Sequence, residues 1–443
     1  MNKHAVVIGA SMAGLSTARV LASRYERVTV LDRDTLPPNA TARRGVPQGN
    51  HGHILLLSGL RALERLFPGL RSELLDRGAT TFDMGRDLIT YRFGRRWPAI
   101  HADLDLVSVG RPLLESVIRD RVAAEDTVTF HENVTVTGLL AEDDRVTGVM
   151  LGTGETMTAD LVVDCSGRGA RSDHWLVGRG FPVPEQLEIK VGVGYATRLY
   201  TRSPGQLEGR SGALVLPDPR KERFSGLILP IEGDRWLVGL ASWHIDTMPQ
   251  APADFERIAR SLPDPALRDL LDQTSPLTEP TTFRFPSSRR RLFEDLDRIP
   301  AGFVTVGDAL CSFNPIYGQG MTCAALEAVA LGETLDRHGS ADTAMARDYY
   351  AAAAGVVGVP WQFGAGGDFA YPQTTGARPR GVTFTNWFAR VVSKASQVDP
   401  VLDRRFSAVQ QLVAPPQTLQ HPSFLARVLI AMIRRAFERA PRA

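Results

Sequence analysis

Gly9 and Gly14 bracket Ser11 at the end of a short apolar run, so serine stands where a three-glycine nucleotide turn carries its middle glycine. In such a turn the first glycine permits the tight bend, the middle one lets backbone approach a pyrophosphate, and the last lets helix and strand pack closely. Serine is the smallest step away, and its hydroxyl can donate to a phosphate oxygen. Asp32 follows 23 residues after Gly9, at the end of a second β-rich run, where an acid can accept ribose hydroxyls and disfavours a 2'-phosphate. This is chemistry for a dinucleotide, and it does not by itself choose between NAD and FAD.

The choice comes from residues 305–339. An apolar run ends in Gly307-Asp308, a loop with Pro315 follows, and Gly318-Gln319-Gly320 opens a long Ala/Leu/Glu-rich helix that stops near Gly339. Asp308 can accept a ribityl hydroxyl, and the helix N-terminus with Met321 offers partial positive charge to the N1/C2 carbonyl edge of a reduced flavin. Two anion-facing helix starts nearly 300 residues apart suit an elongated molecule such as FAD. An ordinary helix cap is the plainer alternative.

These residues need a strand, turn, helix and strand at the start of the chain, and the pattern of 5–32 supplies them. Helical spacing follows at 53–67, 69–77 and 111–124, with β-like alternation in 86–105 and hairpin-like runs at 127–151 and 156–164. From 187 to 245 long alternating strands predict an antiparallel sheet. Residues 253–272 read as helix, and beyond 321 nearly everything is helical with Pro/Gly breaks at 355–382. The expected fold is α/β: a Rossmann-like FAD-binding domain with an inserted, mainly antiparallel β-sheet substrate domain and a helical C-terminal region. The expected boundaries are 1–85, 105–180 and 290–345 for the FAD-binding domain, 86–104 and 181–289 for the substrate domain, and 346–443 for the helical region.

Composition narrows the partners. Fifty-one Lys and Arg nearly balance 49 Asp and Glu in 443 residues, so no strong field points to nucleic acid. Three scattered cysteines, Cys165, Cys311 and Cys323, make no disulfide framework and fit a reducing, cytoplasmic compartment. No run reaches 18 uninterrupted apolar residues, which argues against a spanning helix. The segment 424–437 pairs basic residues with an apolar stripe; packing on the body is its expected role, and membrane contact is the sharper alternative.

Taken together, Gly9 to Asp32, RRGVPQGNHGH (43–53), GRPLLESVI (110–118), VVDCSGRG (162–169) and GDALCSFNPIYGQGM (307–321) resemble the flavoprotein monooxygenases of the para-hydroxybenzoate hydroxylase fold. Within them the similarity is greatest to bacterial epoxidases and hydroxylases that tailor polyketides and terpenoids, including polyether epoxidases. The resemblance implies Asp32 on the adenosine ribose, Arg43 in a mobile loop near pyrophosphate and flavin, and Arg111 at the ribityl and pyrophosphate region. It places Asp308 on the ribityl chain, Pro315 beside the flavin's reactive face, and Gly318, Gln319, Gly320 and Met321 at the pyrimidine edge. Met12, Ala13, Arg33 and Val134 complete the expected cofactor contacts, while Arg44 is as readily a surface residue.

Such an enzyme uses a flavin C4a-hydroperoxide to oxygenate a small, largely apolar substrate with dioxygen. Hydroxylases that bind NAD(P)H directly carry Asp-Gly where this chain has Ser166-Gly167, so electrons from NAD(P)H are expected either directly or through a separate flavin reductase. A flavin-dependent reductase of isoprenoids and a non-catalytic prenyl-protein escort of the same fold are the competing functions.

Tyr195, Trp236, Trp243, Phe285, Trp361 and Phe363 are candidates to line the substrate cavity, and an inward Arg198, Arg235 or Arg284 would instead suit a carboxylate. His244 or Asp246 could serve as a base for a phenol. His51 and His53 lack a third nearby ligand, and no metal is expected. The single tryptophan of RRWPAI leaves the tryptophan-rich halogenase signature absent.

Overall fold

A computed structural model describes residues 3–219 and 221–437. Its first layer is a five-stranded parallel sheet in the order Phe303–Thr305, Leu161–Asp164, His4–Ile8, Arg27–Leu31, Val128–His131. The strands are short, continuous apolar runs because helices and other elements cover both faces. His4–Ile8 is buried along its whole length and pairs with Arg27–Leu31 from His4 opposite Arg27 to Ile8 opposite Leu31. That register brings Gly9 and Asp32 to the same carboxyl edge of the sheet, where the helix Met12–Ala22 begins.

A second, nine-stranded sheet is built around Gln186–Thr201, which pairs antiparallel with Thr281–Arg291 on one side and Arg235–Ser242 on the other. Its register shifts between Lys190 and Val193, where Gly192 takes φ +54°. Leu88–Arg92 joins the far side of this sheet, parallel to Gly212–Val215. The chain thus leaves the parallel layer twice and returns. The hairpin-like stretch 127–164 divides differently from its sequence reading: its two ends enter the parallel sheet, and only Val136–Glu142, Arg145–Leu151 and Thr156–Thr158 form an antiparallel sheet.

The helix Gly320–His338 packs on Met12–Ala22, joining the two ends of the predicted cofactor site. The next helix runs Thr343–Phe363 straight through Pro360, so the break expected from 355 falls only after 363. Helices Val382–Ser396, Pro400–Gln410 and Pro422–Phe437 complete the chain; the last six residues of the expected helical region lie outside the described residues. Among the described residues no helix is long and apolar enough to cross a membrane.

Gly14 shows why the glycine turn tolerates serine at one place only. A Cβ on Gly14 would lie 1.7 Å from the Gly9 carbonyl oxygen, and one on Gly9, at φ +103°, would lie 2.6 Å from that of Cys165. Ser11 meets no such wall and bonds outward to Glu115. Gly14→Ala is therefore expected to cost roughly 1–3 kcal/mol through backbone displacement, read as a lower urea midpoint; an unchanged midpoint would contradict the close approach.

Candidate active site

At the carboxyl edge of the parallel sheet the side chains form one charged cluster. Asp32 accepts the Ala10 N–H at 2.7 Å and the Asp34 N–H at 2.9 Å. Arg43 pairs with Asp32 at 3.2 Å, Asp34 at 3.0 Å and Glu115 at 3.1 Å. Arg111, at the first position of the helix Arg111–Ala123, reaches Glu115 at 3.0 Å and Ser11 Oγ at 2.9 Å. The arginines hold the Glu115 carboxyl below its ordinary value although burial pushes it up. Arg43 thus stands beside Asp32 at the carboxyl edge of the sheet, paired with three acids. Val134 donates its N–H to the Asp32 carbonyl, Ala13 faces Gly307, Met12 is buried in the main core, and Arg33 is exposed.

The other end is built from Gly307 to Met321. Gly307 turns at φ +71°, and its N–H goes to the buried Glu327 at 2.6 Å. Burial drives the Glu327 carboxyl well above its ordinary range, and the Gly307 N–H pulls it back. Asp308 points toward the start of the helix Gly320–His338, its Oδ1 3.7 Å from where a Gly320 Cβ would stand, and it accepts no hydrogen bond from the described residues. Burial pushes its carboxyl up to about 6, against the pull of Arg168 and Arg111. Asn314 caps the turn Pro315–Tyr317, Gly318 closes it at φ +67°, and Gln319 and Met321 are buried. FAD fits these residues: the turn at Gly9 excludes any Cβ, and Asp308 holds acceptor capacity that no protein donor uses.

Facing the 314–317 turn is the apolar face of the large sheet. Tyr195 donates to Asn314 Oδ1 at 2.8 Å, and Val193, Trp243, Phe285 and Tyr371 form a buried cluster against which Tyr195, Phe283 and Ile316 pack. Trp243 stacks on Tyr371 at 4.9 Å. Trp361 lies instead in the main core, Phe363 is half-buried outside the cluster, and Trp236 belongs to the core on the sheet's other side. Arg198 pairs with Glu256, Arg235 with Glu232 and, at the exposed surface, Arg284 with Asp246, and none of the three joins the aromatic cluster. His244 Nε2 meets Thr374 Oγ1 at 3.0 Å, beside a separate cavity of about 400 Å³ whose lining includes Lys190, Asp246 and Arg284.

Four residues escaped the sequence reading as site residues. Asp368 is wholly buried and accepts from Trp243 Nε1 at 3.0 Å, Asn314 Nδ2 at 3.0 Å and Tyr317 OH at 2.8 Å. Burial pushes its carboxyl up to about 7, the three donors pulling it back. His51, read as a polar loop residue, is buried between Tyr195 and Phe283 with Nδ1 on Thr197; burial holds it down to about 4, and its Nε2 has no partner. Arg92 is half-buried with Nε unpartnered, its charge felt by the phenols of Tyr317 and Tyr371, and the Tyr371 hydroxyl is also unpartnered. Arg168 stacks over Phe285 at 4.9 Å and donates to Ser287. Only long-range pairing distinguishes these four from surface polar residues.

A glycine turn and an acid without a protein donor, each beside a helix start and both at the carboxyl edge of the parallel sheet, define a flavoprotein, with a buried aromatic cluster packed toward the 314–317 turn. The FAD binding domain family matches residues 3–357, and the chain belongs to it. Protein Rv3254 of Mycobacterium tuberculosis is 33% identical over 446 residues, covering 93% of this chain and 91% of that protein. Kynurenine 3-monooxygenase of Salinispora arenicola is 29% identical over 371 residues, 78% of this chain and 75% of the relative. A solved tetrameric form of 2-methyl-3-hydroxypyridine-5-carboxylic acid oxygenase shares the fold with a TM-score of 0.62 at 19% identity, over 94% of this chain and 98% of that one. The protein is thus an FAD-binding protein of that family, and two of these similar proteins are named as oxygenases.

Two expectations follow from the carboxylates. Asp308→Ala removes a charged acceptor worth about 1.5–3 kcal/mol, weakening FAD roughly 10- to 150-fold; flavin content of the folded variant, read from its absorbance, checks this, and full occupancy would remove Asp308 from the site. Asp368 titrates at about 7 when folded and near about 4 when unfolded, so between those values the folded state holds a proton that the unfolded chain has released. Its contribution to stability is therefore lost as pH rises through that window. Thermal midpoints from pH 4 to 8 should fall more steeply for the native protein than for Asp368→Asn; parallel curves would refute the assignment.

Proposed function

We propose that the chain transfers one oxygen atom from dioxygen to a bulky, largely apolar substrate of polyketide or terpenoid character, as an epoxide on an alkene or a hydroxyl on a ring. The observation that carries this is the buried aromatic cluster of Tyr195, Phe283, Phe285, Trp243 and Tyr371 packed toward Ile316. Bound FAD supplies the redox and oxygen-activating chemistry. Asp32 takes the ribose hydroxyls in exchange for part of its contact with Arg43; Ser11, Gly14 and the helix start meet the pyrophosphate, with Arg43 and Arg111 balancing its charge. Asp308 holds the ribityl chain, Pro315 lies at the reactive face, and Gly318 to Met321 meet the pyrimidine edge.

The aromatic walls exclude water from the reacting centre. His51, neutral above about pH 4, offers Nε2 to one polar group of the substrate. His244 is held by Thr374 on the far side of Tyr371, a poorer position for a base. Electrons come from NAD(P)H through a separate flavin reductase, because Ser166 replaces the acid expected for direct handling and its N–H is taken by Asp164 at 2.9 Å.

Arg92 favours a second reading, a smaller substrate with a carboxylate held by Arg92 and Tyr371, as the name of the kynurenine-oxidising relative would suggest. One experiment separates them. Oxygen uptake by the FAD-loaded protein is followed with NADPH, with and without an added flavin reductase, on farnesol, on a polycyclic phenol and on kynurenine. Uptake driven by the apolar compounds and dependent on the reductase is expected. Equal rates with NADPH alone would overturn the electron route; uptake with kynurenine alone, lost in Arg92→Gln, would establish the second reading in place of the first.

A further inference from the structure

The closing helix Pro422–Phe437 is apolar on two opposite faces. Phe424, Val428 and Ala431 are buried against helices Val382–Ser396 and Pro400–Gln410. Leu425, Leu429, Ile433 and Phe437 recur every fourth residue on the outer side, and with Ile430 they stand exposed, Leu429 at 64% and Phe437 at 77%. At about 100° per residue, Arg427 and Arg434 fall along one border of that outer stripe. The expectation of basic residues opposite one apolar stripe is thus corrected: the stripe is doubled, Arg427, paired with Asp399, and Arg434 edge its outer half, and Arg435 is buried on the inner one.

A helix that is apolar all round is normally covered all round. The neighbouring helix Val382–Ser396 packs on this one and exposes Phe384 at 66% and Trp387 at 57%, with rings 5.6 Å apart.

Charge indicates what covers them. Residues 376–443 hold eleven Lys and Arg against three Asp and Glu, a net +8 in a chain whose total is +2, so the preceding residues are net negative. Some exposed arginines of the body pair with carboxylates, as Arg65 with Glu333 and Arg298 with Asp144, and others, such as Arg33 and Arg61, do not. Arg380, Arg405 and Arg434 are exposed and form no ion pair among the described residues.

We propose that this face docks on an anionic lipid surface, with the outer stripe and the Phe384–Trp387 pair entering the headgroup boundary and the arginines meeting lipid phosphates. Such a helix lies in the interface plane without crossing, in keeping with the absence of a spanning helix among the described residues. A second copy of the chain, also net positive here, would bring like charges together and is the less suitable cover.

The test uses the full FAD-loaded chain and sedimentation with vesicles of phosphatidylcholine, alone or with about one quarter phosphatidylglycerol. Binding at least about tenfold stronger to the anionic vesicles, and weakened by salt, is expected. Leu429→Ser with Ile433→Ser should abolish binding to both vesicles, and Arg405→Gln with Arg434→Gln should remove the anionic preference while the flavin spectrum stays unchanged. Equal binding to both vesicles, or binding that survives the serine pair, overturns the proposal. So does a dimer in sedimentation equilibrium that the serine pair dissociates while vesicles bind nothing.

Discussion

A single buried carboxylate, Asp368, ties together three separate parts of the chain, its own turn and the two that supply its donors. Trp243 follows the strand Arg235–Ser242 of the nine-stranded sheet, Asn314 and Tyr317 belong to the capped turn Pro315–Tyr317, and Asp368 itself comes from the short turn after the helix Thr343–Phe363. A carboxyl group stripped of water is costly unless its lone pairs are filled. The three parts are therefore held in the one arrangement that fills them. Asn314 passes the constraint on by accepting from Tyr195, so Pro315 is fixed relative to the aromatic wall opposite it.

The same economy of burial governs the cofactor end. Glu327 lies out of water beneath Gly307, burial pushing its carboxyl up, and serves there as an acceptor for the N–H of a turn that no Cβ-bearing residue adopts easily. Asp308, one residue on, is spared such a partner and keeps its oxygens available. Around Ser11 the balance is reversed: Arg43 and Arg111 face Asp32, Asp34 and Glu115, so the cluster already contains the positive charge a pyrophosphate needs and the acids that a ribose can use. A dianionic pyrophosphate entering there would compete with three carboxylates for two guanidinium groups.

The helical tail also shapes the site. Gln397 donates to the Arg92 carbonyl, Arg390 grips Asp218 through two bonds of 2.8 and 2.9 Å, and Phe93 is sandwiched beneath Arg92 and Arg390. Arg92, the half-buried cation that could read a polar group on a substrate, is thus braced by the same helices that carry the exposed apolar face. Contact of that face with a bilayer would bring an apolar substrate's reservoir near the protein without inserting any segment across it.

Local physics made much of this legible in the sequence. A glycine turn between a strand and a helix, an acid at the next strand's end and a second glycine-bounded helix start each depend on neighbours within a few dozen residues, and they identify an α/β flavoprotein with an inserted sheet. Alternation along 187–245 likewise marked Tyr195 and Trp243, because period two places every second side chain on one face. Which face met the cofactor, and which polar residues became buried, depended on contacts across more than a hundred residues. His51 reads as a loop histidine until Thr197, Tyr195 and Phe283 close over it, and Asp368 as a turn residue until Trp243 and Asn314 arrive. Trp361 follows the opposite course, an apparent cavity aromatic that the uninterrupted helix carries into the main core. The sequence by itself determined the fold class and the cofactor, since turn sterics and periodicity are local properties; only the tertiary structure decided which charges lose their water, because desolvation is set by whatever packs against a group from elsewhere in the chain.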